Sequence, residues 1–470
     1  MEEKQQTQFN KMTEEPVGNL LLKLSIPTIL SMMVTNFYSI VDTAFVGKLG
    51  TSQSGATGVV FGYMAILQAV AFMCGQGGGS IMSRKLGAKQ LDEANKYSTT
   101  SFLLSFSLGA LIGLLSILFM NPLLKMLGST ETIAPYAKTY LYCIIAVAPF
   151  FTSSYTMNNL LRYEGKAKLG TIGMMTGAVL NMGLDPILMF VFDMGILGAG
   201  LSTAISQMVS FIILFSMYLR NKTQTKLNLK FFSGRFETYY NIVTTGFPSL
   251  LRQSLNSIST MLLNKYAGVY GDAAVSAMSS VSRISFFPTS ICLGVGQGFQ
   301  PISAFNYGAK RKDRVKKAFW TASAAGEVVA LLSAIPIFIL SPNLVRLLRD
   351  DAEVIEIGAR ALRLMCICQF FVPYTMMIEM GFQSIGYKLY ASIGSSLRSG
   401  LVFIPVLVLF SHMRGLAGIQ EAQPVAFVIS FFISALLGRA YLKVLKDNSP
   451  EDAIERFLGI ITEHYAGAFP

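Results

Sequence analysis

Charge is scarce in this sequence. Lys, Arg, Asp and Glu together make up 14% of 470 residues, against about 25% in an average soluble domain. So few charges cannot clothe a soluble chain of this size in a polar skin, which excludes a cytosolic multidomain enzyme and a disordered chain. Histidine is rarer still. His412 and His464 stand alone and far apart, so no metal cluster is suggested. The five cysteines (Cys74, Cys143, Cys292, Cys366 and Cys368) form no CxxC pair and lie in apolar surroundings, reading as small core residues rather than a disulfide framework. No Ser-His-Asp spacing, nucleophile elbow or HExxH motif appears, so an enzyme is not expected. The glycine run at 75–79 lacks the Lys-Ser/Thr of a phosphate loop, and close helix packing is the better account of it. No cleavable signal sequence is expected in the polar opening MEEKQQTQFNKMTEEP.

What is abundant is apolar sequence: 52% of residues, with long continuous runs. A helix needs about 20 mostly apolar residues to cross a bilayer. Such stretches lie near 20–45, 56–80, 98–120, 133–157, 168–192 and 196–219. After a polar, basic interruption at 220–239, six more lie near 242–268, 279–302, 318–340, 354–381, 391–411 and 419–444. The runs are continuous rather than alternating, which argues against a β-barrel. An all-α polytopic membrane protein of twelve spans is therefore expected, seated in the plasma membrane, with the lipid bilayer as its main partner. It divides into an N-terminal segment 1–15, a first lobe 16–219, a linker 220–239, a second lobe 240–446 and a tail 447–470 that is expected to form a short amphipathic helix.

The net charge of +12 has a location. Loops after the even-numbered spans carry nineteen Lys and Arg, and loops after the odd-numbered spans six. The positive-inside rule then places both termini in the cytoplasm. Nucleic-acid binding, the rival explanation of a basic chain, is not expected, because the cations sit in short loops beside apolar spans.

The halves of the chain repeat. Pro27 matches Pro248, Gly50 matches Gly271, and Gly75-Gln76-Gly77 matches Gly296-Gln297-Gly298. Gly87-Ala88-Lys89 matches Gly308-Ala309-Lys310, and Gly165 matches Gly386, every pair 221 residues apart. Each half holds an even number of spans, so the halves enter the membrane from the same side and are related by an axis along its normal. A substrate site near the midplane between them is the usual consequence, and a duplicated scaffold the bland one.

Charged residues inside spans are functional candidates because burying them is costly. Ser31, Thr35, Ser39 and Asp42 form one polar stripe, with Tyr38 a turn before Asp42. Asn181 and Asp185 stack four residues apart, just before Pro186. Asn158 and Asn159 are consecutive, and Thr203, Ser206 and Ser210 line one face with Gln207 beside them. Shifting Asp42 and Asp185 by 221 lands on Leu263 and Val406, so both carboxylates belong to the first half alone. The second half has Arg252, Asn256, Arg283, Glu327, Glu379 and Arg398 instead. Structural roles compete throughout: Asp42 near a span end could merely snorkel to the surface, and hydroxyls in membrane helices bond back to the preceding turn. Candidate substrate contacts are Met32, Met64, Met157, Met175, Phe287, Met376 and Met377, with Arg252, Asn256 and Glu379. Adaptable methionine surfaces suit varied ligands.

The segment Ile26-Pro27 through Ser39-Ile40-Val41-Asp42-Thr43-Ala44-Phe45-Val46-Gly47 resembles the first helix of multidrug and toxic compound extrusion (MATE) transporters. So do Met157 through Gly165, Leu180-Asn181-Met182-Gly183-Leu184-Asp185-Pro186, and the Gly-Gln-Gly…Asn-Tyr-Gly-Ala-Lys pattern at 296–310. The resemblance covers about residues 16–446 and looks most like the MepA-like and DinF-like branch, which keeps its carboxylates in the first half. It implies two six-helix bundles in a V and rocker-switch antiport of cationic or amphipathic drugs against H⁺ or Na⁺, with no other cofactor, by a monomer. Its cation site would fall on Tyr38, Asp42, Asn158, Asn181, Asp185 and Thr203. The NorM branch places acids in the seventh and eighth helices, where this chain has Arg252 and Arg283. A lipid-linked oligosaccharide flippase of the same broad superfamily is the alternative, favoured by Arg252, Arg283 and Arg398.

Overall fold

A computed structural model describes residues 2–446, and among them there is helix and connecting turn but no strand. After a short polar helix α1 (Glu2–Glu14), the first half runs α2 (Val17–Gly47), α3 (Thr51–Gly87), α4 (Leu91–Leu118), α5 (Met120–Met126), α6 (Ala134–Tyr163), α7 (Ala167–Pro186) and α8 (Gly195–Leu219). The second half runs α9 (Phe236–Gly268), α10 (Asp272–Gly308), α11 (Lys312–Ile339), α12 (Ser341–Leu348) and α13 (Ala352–Cys368). It continues through α14 (Val372–Ile385), α15 (Lys388–Ser396), α16 (Phe403–Arg414) and α17 (Leu416–Lys446). With α13–α14 and α15–α16 counted as broken single crossings, the described residues contain twelve long helices, six in each half. Ten crossings are long and apolar enough to span a bilayer. The other two, α9 and α10, are just as long but more polar, because they carry Arg252, Asn256, Arg283 and the Gly-Gln-Gly copy. The expected tail helix lies outside the described residues.

Two helices change pitch. Pro186 ends α7, and one π-helical turn follows at Ile187–Val191. The ring of Pro186 cannot donate to the turn before it, so the ladder is re-registered there. Its repeat-related helix breaks elsewhere, with a π turn at Leu397–Leu401 that carries Arg398.

The largest apolar cluster is continuous between the lobes. It joins Leu20, Leu24, Ile81, Met82, Leu86 and Tyr163 of the first half to Ile242, Phe299, Ile302 and Phe305 of the second. These residues lie toward the end of the molecule that carries the basic loops, called here the basic face. The repeated glycines allow the approach. A Cβ on Gly77 would stand 2.1 Å from the Ile242 carbonyl oxygen. One on Gly87 would stand 2.0 Å from the Phe305 oxygen, and one on Gly308 2.0 Å from the Arg84 oxygen. Gly87 and Gly308 are related by the repeat and meet across its axis, so each clears space for the other's helix. The glycine run is thus a packing device.

The linker between the lobes is fastened to the first lobe. Glu164, buried at the end of α6, accepts hydrogen bonds from the backbone of Gln224 (2.8 Å) and Thr225 (3.0 Å) and from the Thr225 hydroxyl. Lys226 N donates to Asn95 Oδ1 at 2.8 Å, and Ser233 N to Thr100 Oγ1 at 3.2 Å. At the positions 221 residues on from Asn95, Ser98, Thr99 and Glu164 stand Lys316, Phe319, Trp320 and Ile385. Of the acceptors only Thr100 has a like residue there, Thr321, so most of the acceptor set is confined to the lobe on which the linker docks.

Candidate functional site

The polar stripe of α2 and the Asn181–Asp185 pair of α7 converge inside the first lobe, with α6 and α8 completing the site. Asp42 and Asp185 are both 0% exposed, which removes the snorkelling reading of Asp42. The helix axis carries Asp42 inward against α6 and α7 rather than out to the headgroups. Burial of Tyr38 (7% exposed), Tyr140 and Thr203 around them leaves little room for water.

The two carboxylates differ in their partners. Asn181 connects Asp185 to α8: its amide nitrogen donates to Asp185 Oδ2 at 3.2 Å, and its oxygen accepts from Ser202 Oγ at 3.0 Å and Thr203 Oγ1 at 3.3 Å. This is the orientation in which both ends of the amide are satisfied. Tyr140 OH and Thr203 Oγ1 lie 3.0 Å apart. Neither oxygen of Asp42 closes a hydrogen bond of good geometry among the described residues; the Tyr140 hydroxyl and the Asp185 carboxyl stand nearest to it, with Tyr38 in electrostatic reach. Beside the carboxylates, a cleft is lined by Thr35, Tyr38, Tyr155, Asn181, Ser206 and Gln207, among others. Ser206 Oγ and Gln207 Oε1 are buried and unpartnered. The arrangement concentrates negative charge and free oxygen acceptors in one dry place, which suits a single small cation or a proton.

Of the six expected cation-site residues, the structure brings together Tyr38, Asp42, Asn181, Asp185 and Thr203. It does not bring Asn158. That side chain packs on Gly170, whose added Cβ would stand 2.5 Å from Asn158 Oδ1. Gly170 lies eleven residues before Asn181, roughly 16 Å along the helix. Helical spacing explains this: Tyr155 turns toward the cleft, and Asn158, one turn further along α6, faces the lower part of α7. Ser39 of the stripe lies outside the described side chains. Tyr140, Tyr155 and Ser202 join the site from outside the sequence stripes. A signal is available for Tyr140, since a tyrosine inside an apolar span needs a partner for its hydroxyl.

The expected substrate contacts scatter. Met64 and Met157 are buried in two apolar clusters of the first lobe and Met376 in the large cluster that joins the lobes, so none of the three is open to a substrate in this conformation. Met32 and Met175 are half-buried, and the cleft takes Met174 rather than Met175. Asn256 and Phe287 are exposed. Arg252 and Glu379 form an ion pair at 2.8 Å, buried to 12% and 4% side-chain exposure. Arg252 also donates to Gln76 Oε1 of the first lobe at 3.1 Å, and Ser249 Oγ donates to that oxygen at 2.6 Å. Below them Arg162 bonds Gln297 and Asn159, Gln383 bonds Ser249 (2.7 Å), and Arg84 bonds the Ser384 carbonyl oxygen (3.1 Å). Polar groups thus stitch the lobes together from Arg252 down to the basic face.

The MatE family model matches residues 27–187 and 248–409, once in each half. The chain is similar to the multidrug export protein MepA of Staphylococcus aureus strain MSSA476, at 26% identity over 460 residues, 98% of this chain and 100% of that protein. The MepA of Staphylococcus saprophyticus is 27% identical over 446 residues, 93% of this chain and 96% of that one. Among solved structures, a MATE transporter in complex with MaL6 superposes with a TM-score of 0.87 at 25% identity, covering 93% of this chain and 98% of that one. The outward-facing conformation of a multidrug resistance MATE transporter of the MOP superfamily gives 0.87 at 25% identity with the same coverage.

Proposed function

The chain belongs to the MatE family, and from that premise we propose that it exports cationic or amphipathic small molecules in exchange for H⁺ or Na⁺. The observation that carries this reading is the pair of fully buried carboxylates, Asp42 and Asp185, facing each other with no cationic side chain paired to either among the described residues. Two carboxylates sharing a dry site cost several kcal/mol unless a positive charge joins them. A proton on either carboxyl, or Na⁺ held by Asp42, Asp185, Asn181 and Thr203 oxygens, supplies that charge. Once neutral, the site tolerates the packed arrangement of α2 and has no attraction for a cationic drug. Without the bound cation, the site is negative and draws the next drug molecule in. Ion and drug thus favour opposite members of one two-state equilibrium.

The basic face is read as cytoplasmic from the positive-inside asymmetry, with both termini on that side. Its closure by glycine contacts and the polar stitching then corresponds to an outward-facing state. The flippase alternative requires free cationic side chains in a large cavity. Arg252 is already engaged by Glu379 and Gln76, which takes away one of the three arginines behind it, while a guanidinium nitrogen of Arg398 is buried without a partner among the described residues.

Ethidium efflux from vesicles reconstituted with the Asp185→Asn variant tests the reading: export at the wild-type rate would sink it. Proton release on adding ethidium, measured with and without Na⁺, separates the two coupling ions.

A further inference from the structure

We propose that α1 is an interlobe latch: it docks across the closed basic face and must release one lobe each time that face opens. The sequence of α1 is too polar to cross a membrane, and it carries a single apolar edge, Phe9 and Met12. Phe9 is half-buried and Met12 is covered. Met12 is 0% and Thr13 2% exposed.

On the first-lobe side, Gln8 Nε2 donates to the Glu164 carbonyl oxygen at 3.1 Å. Met12 fills the hollow left by Gly165, where an added Cβ would stand 2.7 Å from Met12 Sδ. Gly165 has φ +78°, a conformation few other residues adopt cheaply. Lys89 Nζ lies over the Phe9 ring at 4.5 Å. On the second-lobe side, Asn306 Nδ2 donates to the Met12 carbonyl oxygen at 3.0 Å and Arg314 to that of Glu15 at 2.6 Å. Phe9 packs on Phe305 at 5.6 Å between ring centroids. One short segment therefore holds both lobes, directly over the Gly87–Gly308 contact.

The repeat shows that this is a particular role and not generic packing. Gly386 is the second-lobe copy of Gly165, and it too has positive φ, +96°. Its hollow is filled by the Arg84 guanidinium of the first lobe. Both hollows therefore receive a group that ties the lobes, but the first lobe's is filled by the chain terminus. From Gln224 to Lys226 the linker bonds the first lobe, and at Ser233 it bonds both Thr100 of the first lobe and Thr238 at the start of α9, so it tethers the lobes by their chain connection rather than across the Gly87–Gly308 contact. When Gly87 and Gly308 part, α1 cannot keep Glu164 and Asn306 together.

The inference rests on the transport reading, in which the basic face opens. The test uses the full chain in phosphatidylethanolamine–phosphatidylglycerol nanodiscs, its native cysteines replaced by alanine. Spin labels go on Gln90→Cys and Arg311→Cys, repeat-related positions on the basic face. Distances are measured with and without ethidium, for the intact chain, for a chain lacking residues 2–14, and for the milder Phe9→Ala/Met12→Ala pair. Loss of the latch raises the ratio of long to short distances about tenfold, equivalent to about 1.4 kcal/mol. A shift in the milder pair supports the latch even where the deletion fails to fold. Long distances present in the intact chain but unchanged in both variants overturn the latch alone. An intact chain that shows no long distance under any condition overturns the transport reading and the latch with it.

Discussion

Asp42 and Asp185 share one buried pocket, yet only Asp185 is held by Asn181; Asp42 closes no hydrogen bond of good geometry among the described residues and faces the Tyr140 hydroxyl and the Asp185 carboxyl. A firmly held carboxylate beside a loosely held one makes a site with one settled ligand and one that waits for a positive charge. The partners of each should therefore fail differently when removed.

Replacing Asp42 with Asn removes an unpaired buried charge. Thermal stability at neutral pH without added Na⁺ should hold or rise, by about 1–3 kcal/mol. Ethidium efflux should fall at least about tenfold, the loss expected when a site gives up roughly 1.4 kcal/mol of discrimination. Melting curves and vesicle efflux on one preparation read both. A variant that transports normally removes Asp42 from the coupling step.

Asn181→Ala takes away the group that satisfies Asp185, Ser202 and Thr203 together. It should cost about 1–3 kcal/mol of stability, the penalty of leaving buried polar groups unpaired. Tyr140→Phe keeps the ring and loses one hydroxyl contact to Thr203, so its cost should be about 1 kcal/mol. A ranking with Tyr140→Phe as the more damaging would show that Asn181 is not the organising residue.

The Arg252–Glu379 pair predicts a mutant cycle. Either single change, Arg252→Ala or Glu379→Ala, removes the direct partner of a buried charge and should cost up to about 3–5 kcal/mol, less for Arg252→Ala because Arg398 stays within electrostatic reach of Glu379. Exchanging both partners for apolar side chains of similar length, Arg252→Met together with Glu379→Leu, should recover most of that. Chemical denaturation in detergent gives the coupling energy. Additive single effects would mean that the pair is not coupled.

Glu164 lies outside the spans, and burial raises its pKa above the ordinary glutamate value of 4.5, opposed by the Thr225 and Gln224 bonds. For an acid whose folded pKa is raised, the stabilising contribution is complete below the unfolded pKa and is lost as pH rises through the folded one. The stability of wild type relative to Glu164→Gln should therefore decline as pH rises above about 4.5. A difference that grows with pH would reverse the assignment. Within the fold, loss of the carboxylate should also loosen the linker, visible as faster hydrogen exchange at 224–233.

Gly87→Val and Gly308→Val should be equally harmful, because each would drive a side chain into the other's helix where even a Cβ stands 2.0 Å from a carbonyl oxygen. Labels on the basic face should report a shift toward the open state in both. A difference of more than about tenfold between them, roughly 1.4 kcal/mol, would break the repeat symmetry of the contact.

Much of this was legible in the residues. Scarce charge and twenty-residue apolar runs dictate membrane helices, because backbone polar groups in lipid must be satisfied within each span. The 221-residue offset imposes two similar lobes, and the stripe at Ser31, Thr35 and Asp42 with the i, i+4 pair at Asn181 and Asp185 marks two helix faces that need a partner. Periodicity records which face a residue occupies and nothing of what faces it. It could not tell that Asp42 meets Asp185 and Tyr140 while Asn181 holds Asp185, that Asn158 turns to Gly170, or that Arg252 is bound to Glu379 and Gln76. Nor could it show that a polar opening segment closes over both lobes. Those are pairings between groups from near neighbours on one helix to opposite ends of the chain, and only packing in three dimensions decides which of many chemically reasonable partners comes within hydrogen-bond reach.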